Sequence, residues 1–343
     1  MSLIIGLLII AIGAFCQSSS YVPINKIRDW SWESYWIVQG VFAWLIFPFI
    51  GALLAVPSGH TLCELFSNAP SFNLWMTIFF GVLWGIGGLT FGLSMRYLGV
   101  ALGQSIALGT CSALGTIMGP VLLNIFFPEL KPLESLTWAV IIGVLVMLLG
   151  IAIIGIAGGM KSASLPEEEK KKAVKDFNFS KGLAIALLAG FMSGCFNVGL
   201  EFGKGINFAE TPDIFKTLPA TLLVTIGGFL TNAVYCFWQN TKNKTWGDYK
   251  KGKVWGNNLI FCCLAGLLWY SQFFGLSLGK GFFKNYPTMM TLAFCILMAL
   301  NVTFSNVWGI ILKEWKGVSR KTITVLLIGL AVLIFSTFLP QLI

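Results

Sequence analysis

Long apolar runs in this chain are broken by amides, hydroxyls and indoles at positions that hydrocarbon penalises. Gln17 closes a run ending FCQSSSY, and Trp84, Thr90 and Ser94 punctuate 84–99, WGIGGLTFGLSMRYLG. Gln104 and Ser105 follow, Asn197 and Glu201 stand one helical turn apart, and Trp269, Tyr270 and Gln272 fall within 267–281, LLWYSQFFGLSLGKG. Asn301, Thr303, Ser305 and Asn306 close the series. An amide or charge in lipid is costly and tends to face a cavity or a partner. Each residue taken singly is equally consistent with a helix-to-helix hydrogen bond, worth about 0.6–2 kcal/mol. Together, amides and hydroxyls for hydrogen bonding and flat rings for C–H faces suit a neutral polyol. Substrate contacts are therefore expected from Gln17, Trp84, Thr90, Gln104, Asn197, Trp269, Tyr270, Gln272 and Asn301, near mid-membrane between the two halves of the chain.

Other chemistries fit less well. A phosphorylated or carboxylated substrate needs several buried bases, whereas the bases here lie at the ends of apolar runs. No such run holds a pair of carboxylates, a histidine with an acid, or a serine with a base, so the sequence does not read as an enzyme. The eight cysteines form no C-x-x-C pair; seven lie in apolar runs as packing residues, and Cys63 stands alone in a loop. His60, the single histidine, reads as a solvated loop residue beside Glu64. No metal and no cofactor is implied. Glu201 is the one carboxylate well placed inside an apolar run, which makes it the candidate proton carrier, with Asn197 linking protonation to substrate. An ion pair with Lys204, three residues on, is the open alternative.

The elements that must hold these residues are membrane helices. A chain of 343 residues that is 56% hydrophobic and 11% charged, with mean hydropathy +0.81, has more apolar surface than a soluble core can enclose. Runs of about 20 apolar residues each cross a bilayer. They predict ten spans near 3–20, 36–56, 73–95, 99–126, 135–157, 182–202, 217–239, 255–278, 286–311 and 321–341. The tetrapeptide FGLS at 91–94 returns at 274–277, each time followed within three residues by a base, which argues for duplication. The expected fold is an all-α polytopic membrane protein of ten helices in two five-helix repeats, 1–158 and 182–343, joined by a charged linker, 159–181. An odd number of spans per repeat makes the two inverted, an arrangement transporters use. Gly81, Gly85, Gly88 and Gly92, then Gly99, Gly103, Gly109, Gly115 and Gly119, form small-residue faces for close helix packing. Gly87, Gly88 and Pro120 are candidate points of bending.

Orientation follows from the bases. Of the 23 lysines and arginines, eighteen fall on the side of the odd-numbered loops, against Lys131, Lys204, Lys216, Lys280 and Lys284 on the other. Positive loops stay inside, so both termini are expected to be periplasmic. The net charge of +9 thus reads as topology rather than as a nucleic-acid surface. The first twenty residues lack the basic start of a signal peptide and read as the first helix.

Four stretches carry a family resemblance: YVPINKIRDWSWE at 21–33, LWGIGGLTFGLSMRYLG ending at Gly99, WYSQFF at 269–274, and ILKEW at 311–315. They are ordered along the chain and resemble the bacterial L-rhamnose–proton symporter family of the drug/metabolite transporter superfamily. The resemblance implies L-rhamnose, or a closely related 6-deoxy sugar, imported with protons by alternating access across the bacterial inner membrane, by a monomer or homodimer. It covers Tyr21, Trp32, Trp84, Met95, Arg96, Tyr97, Trp269, Tyr270, Gln272 and Glu314 as motif positions, with Arg96 expected to be structural. Glu201 matches no family motif. A drug or metabolite exporter of the same superfamily is the alternative, and a membrane receptor or structural protein a more distant one.

Overall fold

A computed structural model of the chain describes residues 2–98, 100–164, 179–311, 315, 317–339 and 342. Most of the linker, with Lys170, and Glu314 lie outside the described residues, as do the side chains of Tyr21, Met95, Arg96, Gln104 and Ser105. Ten helices among the described residues are long and apolar enough to cross a membrane. They are α1 (Ser2–Ser19), α2 (Trp32–Leu54), α3 (Ser71–Leu98), α4 (Val100–Phe126), α5 (Trp138–Ser164), α6 (Phe179–Phe202), α7 (Leu218–Asn243), α8 (Gly252–Gly281), α9 (Pro287–Ile311) and α10 (Arg320–Phe338). Each expected span has its helix. The largest departures are at polar ends: α2 starts at Trp32, α5 runs on to Ser164 and α7 to Asn243. Hydropathy reports the thickness of hydrocarbon, whereas a helix continues beyond it wherever its backbone bonds remain satisfied.

Helix contacts group the chain into two compact units, each drawing on both halves of the sequence. The first comprises Met1–Gly85 and Gly199–Lys284, the second Ile86–Val198 and Asn285–Ile343. In the first, α1 lies along α8 through glycine: a Cβ on Gly13 would come within 2.8 Å of the Ser271 carbonyl, and one on Gly279 within 2.8 Å of the Gly6 carbonyl. The α3–α7 contact is as close, since a Cβ on Gly81 would collide with the Val224 carbonyl and one on Gly227 with that of Ile78. Among helices in lipid, where apolar surface gains nothing by leaving solvent, such backbone approach supplies van der Waals contact that larger side chains would block. In the second unit α10 packs on α5, and α4 on α5 and α9. There a Cβ on Gly115 would lie 2.9 Å from the Phe294 ring, while Gly88 has nothing within 4 Å.

Helix α2 is irregular. It is α-helical over Trp32–Gly40, π-helical over Val41–Ile46 and α-helical again over Phe47–Leu54, and the Phe47 N–H reaches back five residues to the Phe42 carbonyl. Pro48 gives the reason. It has no N–H for the Trp44 carbonyl four residues earlier, and its ring would clash with that carbonyl in a regular helix, so the turn before it widens.

Candidate functional site

In the first unit the fold gathers tryptophans. The rings of Trp84 on α3 and Trp269 on α8 lie 5.7 Å apart, tilted by 35°. Trp44, from the π-helical turn of α2, lies 6.0 Å from both with its plane nearly perpendicular to each. Trp36 meets Trp44 at 5.7 Å and is stacked in turn on Trp32 at 5.3 Å, with its indole N–H donating to Asn232 Oδ1 at 3.0 Å. Trp84 and Trp269 are half-buried. Small residues make the approach possible, because a Cβ on Gly228 would collide with the Trp84 ring.

Beside Trp269, Tyr270 is buried and its phenolic oxygen has no hydrogen-bond partner among the described residues. That oxygen packs on Gly51 of α2, where any side chain would displace it. Gln272 is buried and its Nε2 donates to the Trp269 carbonyl at 3.2 Å. Gln17 is half-buried near the end of α1. Glu201 is one-fifth exposed and its Oε2 lies 3.7 Å from Lys204 Nζ, so the ion pair left open by the sequence is formed.

The second unit holds Thr90, Asn197 and Asn301, each with a partner. Thr90 Oγ1 donates to the Ile86 carbonyl at 3.0 Å, and Asn197 Nδ2 donates across to the Gly115 carbonyl of α4 at 2.6 Å. Asn301 is buried on α9 and also engaged. The side chain of Gln104 lies outside the described residues. An apolar cleft of about 620 Å³ lies between α4 and α5. Thr110, the one hydroxyl among the described lining residues, already donates to the Ile106 carbonyl at 2.7 Å. That lining matches an acyl chain better than a sugar.

Sequence reasoning missed two features. One is Trp44, which reads as core in VFAWLIFPF until Pro48 four residues later is taken as the mark of a widened turn. The other is a polar network at the start of α2. Glu33 Oε1 accepts from Asn243 Nδ2 at 2.9 Å and Thr245 Oγ1 at 2.8 Å. Asp248 Oδ2 accepts from the Ser31 N–H and Ser31 Oγ, both at 2.7 Å, and its Oδ1 accepts from Lys251 Nζ at 2.6 Å. Asn258 clasps the Arg28 backbone, accepting from its N–H at 3.0 Å and donating to its carbonyl at 2.8 Å. Burial by itself pushes the Asp248 carboxyl up, but the bonds from Lys251, Ser31 and Ser34 outweigh it and hold it at about 2. The turn Thr245–Lys250 is thereby tied to the N-terminal end of α2.

The chain is 31% identical over 344 residues to the L-rhamnose-proton symporter of Yersinia pestis (strain Pestoides F), covering 98% of this chain and 96% of that one. The same identity and coverage hold for the L-rhamnose-proton symporter of Yersinia pseudotuberculosis serotype O:3 (strain YPIII). The model of the family described as L-rhamnose-proton symport protein (RhaT) matches residues 1–342, and the chain belongs to that family.

Proposed function

We propose that this protein imports L-rhamnose, or a closely related 6-deoxy sugar, together with protons by alternating access. What carries the reading is the match over nearly the whole of both chains to relatives named for that transport. The aromatic cluster supports it, since half-buried indoles suit the C–H faces of a pyranose. The buried Tyr270 hydroxyl, with no partner among the described residues, suits its polar rim. Trp84, Trp269, Tyr270, Gln272 and Gln17 are assigned to the sugar; Thr90, Gln104, Asn197 and Asn301 are assigned to it on sequence grounds. Glu201 is assigned the proton. The proposed setting is the bacterial inner membrane with both termini periplasmic, the halves 1–158 and 182–343 forming an inverted repeat, in a monomer or homodimer.

The test is uptake of radiolabelled L-rhamnose into proteoliposomes with and without an imposed inward proton gradient. Accumulation above equilibrium only with the gradient is expected. Equal uptake in both conditions removes the proton from the mechanism, and no uptake removes the sugar.

A further inference from the structure

The contact between α2 and α8 carries buried polar atoms that no group among the described residues satisfies. Gln39 and Trp44 are 3% and 4% exposed, and neither Gln39 Oε1 nor Trp44 Nε1 has a hydrogen-bond partner among the described residues. An unsatisfied buried amide oxygen or indole N–H costs about 1–3 kcal/mol, and each such group in a native structure calls for an explanation. Both belong to one stretch of one helix. Gln39 precedes the π-helical turn, with its backbone carbonyl against Gly266 of α8, and Trp44 lies within that turn, against Trp269 one turn further along α8. π-helical turns cost regular hydrogen bonding and are frequent at functional sites. Here Pro48 holds the turn open, so the irregularity is built into the sequence.

We propose that Gln39 and Trp44 are sugar-binding residues: the Trp44 indole N–H donates to one hydroxyl of the substrate and Gln39 Oε1 accepts from another. Trp84 and Trp269, packed on Trp44, give the apolar faces against which the ring rests. An N–H donor and an amide acceptor at fixed separation discriminate between hydroxyl patterns, because an analogue lacking a bonded hydroxyl leaves the protein group unpaired. This assignment rests on the reading of the substrate as a sugar and adds the residues that choose which sugar.

The experiment measures exchange of L-rhamnose, and of analogues each lacking one hydroxyl, by the full chain in proteoliposomes. Trp44→Phe keeps a ring and removes the N–H; Gln39→Met keeps length and removes the oxygen. In the wild type at least one deoxy analogue should bind about three- to tenfold more weakly than the parent sugar. Each variant should abolish the preference for one hydroxyl while leaving affinity for the analogue lacking it unchanged, and retained exchange of that analogue shows that the variant folds. Parallel weakening of all analogues, loss of all exchange by both variants, or unchanged preferences in both overturns the assignment. A wild type that exchanges no sugar of the panel overturns the sugar reading and this site together.

Discussion

Glu201 and Gln272 are the residues whose roles chemistry separates most sharply. Glu201 has a lysine 3.7 Å away, and an ion pair with a largely exposed ammonium contributes little to stability. Glu201→Gln mimics the protonated acid, so the expected outcome is normal sugar exchange without proton-driven accumulation. A variant that still concentrates sugar when a pH gradient is imposed removes Glu201 from coupling. Gln272 can both donate and accept. Removing one hydrogen bond to sugar costs about 0.5–1.5 kcal/mol, or three- to tenfold in affinity, while Trp84→Ala should cost more because it removes a stacking face. Half-saturation concentrations for exchange measure both effects, and unchanged values in the double variant move the sugar elsewhere.

At the scale of elements, hydropathy was enough to find all ten helices, because a run of about 20 apolar residues has few other uses. It could not find their polar extensions or the contacts between them. Asp248 and Ser31 are 217 residues apart in sequence, and no periodicity announces such a bond. Trp44 was hidden for a different reason: an aromatic in an apolar run looks like core, and only the proline after it distinguishes the two. The glycine faces were legible as faces but not as contacts. Gly81 and Gly88 share α3, yet a Cβ on Gly81 meets the Val224 carbonyl while one on Gly88 meets nothing within 4 Å. Gly81→Ala should lower thermal stability, with overpacking costing about 1–3 kcal/mol. Gly88→Ala should be neutral or stabilising through helix propensity. Melting of the two purified variants in detergent checks the pair, and equal losses contradict the α3–α7 contact. The Asp248 network adds a pH signature. Its carboxyl is held at about 2, below the ordinary value near 3.9, so its contribution of roughly 2–3 kcal/mol is complete above about pH 5 and is lost as pH falls through 3.9 and then 2. Asp248→Asn should thus lower the melting temperature throughout pH 5–8 by a constant amount; a difference that changes across that window would mean another group carries the effect.

For the molecule as a whole, the side on which each loop lies can be argued from geometry as well as from charge. The bonds from Ser31 to Asp248 tie the turn Thr245–Lys250 to the N-terminal end of α2. Cys63 follows the C-terminal end of the same helix, in the short helix Leu62–Asn68. Helix α2 has 23 residues from Trp32 to Leu54, about 34 Å of rise, enough to separate its two ends by the thickness of a bilayer's hydrocarbon. Cys63 and Lys250, both exposed, therefore belong on opposite faces of the membrane whatever the absolute orientation. On the positive-inside rule, the excess of bases beside Lys250 predicts that this face is cytoplasmic. In intact cells a membrane-impermeant maleimide should label Cys63 from outside, and Cys63→Ser should abolish the signal. Lys250→Cys in the Cys63→Ser background should be labelled only in inverted vesicles. Labelling of both cysteines from one side would break α2 as a spanning helix, whereas an exchange of the two sides would keep the fold and invert the orientation that the bases imply.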